Sequence, residues 1–272
     1  MPLAYFVHDF SPFLIKFSDN FGLRYYGLAY MAGFVAAGWL LHLYWKKGRS
    51  PFALNAITDL MTYIVIGVLV GGRLGYFFLY QFHTIRENPF AIFRVWEGGM
   101  ASHGGFVGVL LAIAWWARRR QASLLHISDL IVSTAPVGLF FGRIANFING
   151  ELWGKIADVP WAVIFPLSAA PGTPVAFIAP RHPSQLYQAA LEGLILLALM
   201  QWRFWKSDIV RTQPGRLSGE FLIGYAFVRM IGEIFREPDA SLLFGVSRGT
   251  FYSIFLIAAG VWLIARARAT AR

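Results

Sequence analysis

Stretches of about twenty predominantly apolar residues recur from end to end of this chain, and nothing else limits its fold as strongly. A helix rises about 1.5 Å per residue, so each stretch matches the hydrocarbon thickness of a bilayer. The windows fall at roughly 23–45, 60–82, 100–117, 130–148, 184–203, 218–236 and 249–266. Charged residues make up only 14% of the chain, against about 25% in soluble domains. The expected fold is therefore an all-α integral membrane protein with about seven transmembrane helices. No length is left over for an ordinary soluble domain, so residues 1–272 are expected to form one polytopic membrane domain. The first apolar run follows a mixed aromatic stretch, not a short basic region with a small-residue cleavage site, so no cleavable leader is expected.

Orientation follows from the connections. Lys46, Lys47 and Arg49, then Arg118, Arg119 and Arg120, then Arg203, Lys206, Arg211 and Arg216, and finally Arg266, Arg268 and Arg272 all fall on one side. The other side is poorer in basic residues. The positive-inside rule puts the C-terminus in the cytoplasm and the N-terminus in the periplasm. The net charge of +10 is then loop arginine that sets topology, and no nucleic-acid partner is expected. The longest outer connection, about 149–183, holds "PGTP" and little periodicity, and reads as a small irregular external cap with a short strand at "WAVIF". It ends in "RHPSQLY", where Ser184 reads as the N-cap of the next helix.

Helical rise converts position into depth. Arg143 falls about 8 Å, Arg229 about 10 Å and His103 about 5 Å below the outer ends of their spans. Tyr26 and Glu233 are similarly shallow, and Arg73 is deeper, at about 14 Å. Four spans thus offer polar groups to one slab of the outer leaflet. Successive helical residues turn by about 100°, so Tyr225, Arg229, Glu233 and Arg236 share one stripe. Arg143 and Asn146 are one turn apart and can meet a common ligand. Gly104 and Gly105 leave room for a backbone or a headgroup to approach His103.

Ionisable groups inside a membrane are costly and usually functional. Two arginines at one depth suit a phosphodiester, which the planar guanidinium binds in a bidentate fashion. Blander readings stand beside this one. Arg143 with Glu151, or Arg229 with Glu233, can be plain ion pairs. Arg73 can tie the carbonyls of another segment, and Asn149 can cap the end of its helix. Gly67, Gly71 and Gly75 form a small-residue ridge for helix packing. Trp115 and Trp116 fit an interfacial belt. His8, His42, His83 and His126 fall at interfaces or in loops.

Several classes are weakened. The polar slab is too rich in arginine and too poor in histidine for a metal site, so no metal and no other cofactor is expected. All five lysines lie outside the spans, against a retinal-type pigment. Ser102 adjoins His103 in sequence, but adjacent helical residues do not face each other, against a serine protease. With no cysteine in the chain, any thiol must come from a substrate. A membrane transporter or binding protein for an anionic solute or lipid is the alternative, although no paired half-repeat supports it.

"GRIANFINGELWG" at 142–154 closely resembles the signature of bacterial phosphatidylglycerol–prolipoprotein diacylglyceryl transferases. So do "GGRLGYFFLY" at 71–80, "ASHGGFVG" at 101–108, "RHPSQLYQA" at 181–189 and "FREPD" at 235–239. These blocks cover most of the chain in the expected order. The resemblance implies transfer of the diacylglyceryl group of phosphatidylglycerol to the lipobox cysteine of a prolipoprotein signal peptide, forming a thioether and releasing glycerol 1-phosphate. It implies a multi-pass protein of the bacterial inner membrane, embedded among membrane lipids, with its site near the periplasmic leaflet. Arg143 and Arg229 are expected to bind the phosphodiester. His103 is expected either to take the thiol proton or to position the lipid. Tyr26 and Tyr225 are expected to donate hydrogen bonds to phosphate or glycerol. Asn146, Asn149, Glu151 and Gly154 are expected to shape the headgroup pocket, and Glu233 to orient Arg229. The pattern also tends to carry a glutamine and a proline near the start of the last span. "GVSRGTFYSIFLIAAG" has neither, in a region expected to serve packing.

Overall fold

Long apolar runs without helix-breaking residues dictate helix, and helix dominates the computed structural model, which describes residues 5–18, 22–94 and 98–270. The principal helices are α1 (Tyr25–Lys46), α2 (Leu54–Tyr80), α3 (Phe82–Glu87), α4 (Ser102–Arg119) and α5 (Leu124–Ile148). They continue as α6 (Ser184–Gln188), a π-helical segment (Ala189–Ile195), α7 (Leu196–Lys206), α8 (Ile209–Thr212), α9 (Arg216–Phe235) and α10 (Arg248–Thr270). Helix covers each of the segments expected to span. Among the described residues, α1, α2, α5 and α10 are long and apolar enough to cross a membrane by the measure of length and composition.

The chain divides into two compact units, one of residues 38–128 and one of residues 1–37 with 129–272. In the first, α2 and α4 pack antiparallel along the glycine ridge. A Cβ on Gly67 would meet the Gly108 carbonyl oxygen at 2.6 Å, and one on Gly75 would meet Gly104 Cα at 2.6 Å. Gly104 therefore serves this helix contact. The backbone that approaches beside His103 is that of α2. Arg73 is a structural tie: Nε donates to Ile92 at 2.9 Å and Nη2 to Ala91 and Arg94 at 2.7 Å each. Its Nη1 donates to the carbonyls of Gly98 and Gly99. Trp116 is buried and donates to Asp59 at 2.9 Å, whereas Trp115 is exposed.

In the second unit, α9 and α10 pack antiparallel where Gly219 and Gly260 meet; a Cβ on Gly219 would lie 2.6 Å from the Gly260 carbonyl. The first turn of α9 is held by a carboxylate from α5. Asp129 accepts from the backbone N–H of Gly215 and Ser218 and from the Ser218 hydroxyl, each at 2.7 Å. These satisfy donors that a helix N-terminus leaves unpaired.

Short strands in this unit depart from the all-helical expectation. β1 (Phe6–Val7) pairs in parallel with β4 (Val163–Ile164), which lies within "WAVIF". β2 (Phe13–Lys16) and β3 (Gly22–Arg24) form an antiparallel hairpin, so Arg24 belongs to a strand and not to the first helix. The 149–183 segment is less irregular than expected: bridges join Ile156 and Val163 to Arg181, and Gly154 to Arg236. His8 lies in the loop after β1, as expected, and is buried. Its Nε2 lies 2.6 Å from the Phe147 carbonyl, and its ring packs against Phe10, Phe147 and Phe165. Ser184 does not cap α6: it is the first helical residue, and its hydroxyl donates to the Leu152 carbonyl at 3.1 Å.

Candidate functional site

Two glycines let three helical segments converge at one place. A Cβ on Gly193, in the π-helical segment, would lie 2.6 Å from Phe140 Cβ, one turn before Arg143 on α5. A Cβ on Gly232 would lie 3.1 Å from Gln188 Cγ, one turn after Arg229 on α9. These close approaches place Glu192 between α5 and α9.

Glu192 binds both arginines. Its Oε2 accepts from Nε and Nη2 of Arg143 at 3.0 and 2.8 Å. Its Oε1 accepts from Nη1 of Arg229 at 3.1 Å. The Glu192 side chain is 0% exposed and each arginine side chain is 14% exposed. Burial of this kind is tolerated only when charges are paired and hydrogen-bonded. Arg229 Nη2 also pairs with Glu233 at 2.6 Å, one turn along the same helix. The Gln188 amide oxygen lies 3.5 Å from Arg229 Nη1. Tyr225 sits one turn before Arg229, in the field of Glu192, Arg229, Arg143 and Glu233.

A second polar group gathers at the C-terminal end of α5. Asn146 is buried, and its amide nitrogen donates to the Tyr26 hydroxyl at 3.1 Å and to Glu151 Oε1 at 2.8 Å. Gln185 on α6 donates to the Glu151 carbonyl at 2.7 Å. Asn149 is half-buried, and its side-chain oxygen is buried without a partner among the described residues. Beside this group an apolar-lined cavity of about 290 Å³ is bordered by Phe10, Ser11, Phe13, Tyr25 and Ile148.

The unit thus brings together Tyr26, Arg143, Asn146, Glu151, Tyr225, Arg229 and Glu233. Gly154 lies at a tight junction: its N–H donates to the His182 carbonyl at 2.9 Å, and an added Cβ would meet the Phe235 carbonyl at 2.6 Å. Its position serves close backbone packing at the end of α9. Arg236 is buried and pairs with Asp239 at 2.7 Å. His103 belongs to the other unit, exposed on the first turn of α4.

One expectation changes here: the ion-pair partner of Arg143 is Glu192, while Glu151 is held by Asn146. The start of the last span packs directly on the cluster: a Cβ on Gly249 would lie 2.6 Å from Glu233 Oε1 and 3.0 Å from Arg229 Nε. The sequence reading passed over Glu192 altogether. The signal was available, since Glu192 lies about 12 Å along its helix from Ser184, close to the depth of Arg229.

Chemically, the arrangement suits an anionic ester. Two guanidiniums from different helices are fixed side by side, with hydroxyl and amide groups one or two turns away.

The sequence model of the family described as prolipoprotein diacylglyceryl transferase matches residues 12–266. A phosphatidylglycerol–prolipoprotein diacylglyceryl transferase of Ruegeria pomeroyi is 43% identical over an alignment covering 96% of each chain. One from Rhizobium meliloti is 44% identical, covering 92% of this chain and 89% of the relative. A third, from Zymomonas mobilis, is 45% identical, covering 89% and 82% respectively. The arginine-rich cluster thus sits in a sequence related along nearly its whole length to these transferases, and the chain belongs to the prolipoprotein diacylglyceryl transferase family.

Proposed function

We propose that this protein is a phosphatidylglycerol–prolipoprotein diacylglyceryl transferase acting at the Arg143–Glu192–Arg229 cluster. The observation that carries the site assignment is the pair of arginines held on one buried carboxylate. The donor is phosphatidylglycerol, and the acceptor is the lipobox cysteine of a prolipoprotein signal peptide.

The reaction is a displacement at carbon. The cysteine sulfur attacks the glyceryl carbon bonded to the phosphate oxygen. A carbon–sulfur bond forms, the carbon–oxygen bond breaks, and its electron pair leaves with glycerol 1-phosphate. Negative charge grows on the departing phosphate, where Arg143 and Arg229 stabilise it. His103 either takes the thiol proton, which a thiol pKa near 8.5 makes modest work, or positions the lipid. Tyr26 and Tyr225 hydrogen-bond the phosphate or glycerol, Asn146, Asn149, Glu151 and Gly154 shape the headgroup pocket, and Glu233 orients Arg229.

The whole chain, 1–272, acts as one multi-pass domain of the bacterial inner membrane with about seven spans. Its N-terminus is periplasmic and its C-terminus cytoplasmic. Residues 149–183 form the periplasmic cap, and the site faces the outer leaflet. Basic residues concentrated on one side of the spans support this orientation.

Purified protein given phosphatidylglycerol with a labelled glycerol headgroup tests the reaction. Release of labelled glycerol phosphate only when a cysteine-bearing signal peptide is present is the expected result. Release regardless of peptide, or none at all from folded protein, contradicts it.

A further inference from the structure

We infer that Glu192 is the positioning residue of the donor site: one buried carboxylate, divided between two helices, that aims both arginines at the phosphodiester. The inference rests on the donor-site assignment above. Its two oxygens are split, with Oε2 on Arg143 and Oε1 on Arg229. Glu233 takes Nη2 of Arg229. Among the described residues, Nη1 of Arg143 and Nε of Arg229 are left without a hydrogen-bond partner. The Arg229 Nε edge lies against Gly249, where an added Cβ would come within 3.0 Å, so the backbone of α10 packs closely there. Both guanidiniums are therefore clamped by Glu192, and Arg143 keeps its Nη1 unpaired among the described residues.

The local backbone is specialised for this. Residues 189–195 are wound as a π-helix, which is rare and concentrates at functional positions. The wider turn carries Glu192 at its middle while Gly193 packs directly on Phe140 of α5. A lysine or a second arginine pair could neutralise nothing here. A single carboxylate lets two like charges approach without mutual repulsion and leaves the Arg143, Arg229, Glu192 and Glu233 set neutral. A phosphodiester then binds through directed hydrogen bonds rather than an excess of positive charge, and the more highly charged product is not trapped.

Steady-state kinetics in mixed micelles test this with Glu192→Gln and Glu192→Asp beside the wild type. The amide keeps the shape, but its NH2 group opposes one guanidinium, and the cluster gains a positive charge. For Glu192→Gln a kcat loss of about 100-fold is expected, with KM for phosphatidylglycerol unchanged or lower and inhibition by glycerol phosphate stronger. Glu192→Asp keeps the charge but not the reach, and a kcat loss of about tenfold is expected. A simple structural tie would lower the melting temperature yet leave kcat of the folded fraction within about threefold of wild type, and that result overturns the inference. So does failure of both variants to fold. If the wild type itself transfers nothing, the proposed function fails first, and the two failures are distinguishable.

Discussion

Asn146 donates a hydrogen bond to Tyr26, 3.1 Å away and 120 residues distant in sequence, and a second one to Glu151 at 2.8 Å. One amide nitrogen thus ties the first turns of α1 to the turn that follows α5. Asn146→Asp removes both donors and sets a carboxylate against Glu151. Transfer is expected to fall by about 100-fold or more, since like charges in a partly buried site repel and the pocket loses its geometry. Activity of the purified variant within a few-fold of wild type would contradict this role.

Among the described residues, Arg143 is held by Glu192 alone, through two hydrogen bonds to one carboxylate oxygen. Arg143→Ala is expected to abolish transfer, with a kcat loss of at least about 100-fold, while folded protein still accumulates in the membrane. Initial rates and membrane protein levels measured together separate these effects.

His103 should reveal itself through pH. A thiol near its ordinary pKa of about 8.5 needs a base most at low pH and least near that value. His103→Gln is therefore expected to lose most activity near pH 6 to 7, by about 100-fold, and to recover partly towards about pH 9 as the thiol ionises unaided. A pH–rate profile parallel to the wild type would leave His103 with lipid positioning alone.

Arg73 acts on stability. Its guanidinium serves five backbone carbonyls, a fork geometry that a lysine ammonium cannot reproduce. Arg73→Lys is expected to cost about 2 kcal/mol and to lower thermal stability by several degrees. The kcat of the folded enzyme is expected to stay near wild type. Differential scanning of the detergent-solubilised protein, beside kinetics, reads both.

Asp129 is a second stability determinant. It supplies three acceptor contacts at 2.7 Å to the start of α9. Asp129→Asn turns one acceptor into a donor that faces backbone N–H groups. A loss of about 1–3 kcal/mol is expected, read as a lower melting temperature.

The helices were legible because apolar length and helical rise are local properties. The glycine ridge of α2 was legible for the same reason, since its spacing places Gly67, Gly71 and Gly75 on one face. The depth argument gathered Tyr26, His103, Arg143, Arg229 and Glu233; Tyr26, Arg143, Arg229 and Glu233 lie in one unit, and His103 belongs to the other. Glu192 escaped because the single carboxylate is hidden in "LEGLILLALM", a run that reads as ordinary span. Its π-helical winding depends on packing against α5 and α9, which no local pattern records. Ser184 looked like a cap because its residue type favours one, but the tertiary acceptor at Leu152 claims its hydroxyl. The two-residue strands β1 and β4 exist only through each other and cannot be read from either segment alone.

The most direct test is mass spectrometry of a lipobox peptide incubated with the purified protein and phosphatidylglycerol, beside a control peptide whose cysteine is replaced by serine. A diacylglyceryl mass increment on the cysteine peptide alone, abolished by Arg143→Ala, is the predicted result. No increment from well-folded wild-type protein across several anionic lipids would contradict the account and turn attention to solute flux in proteoliposomes.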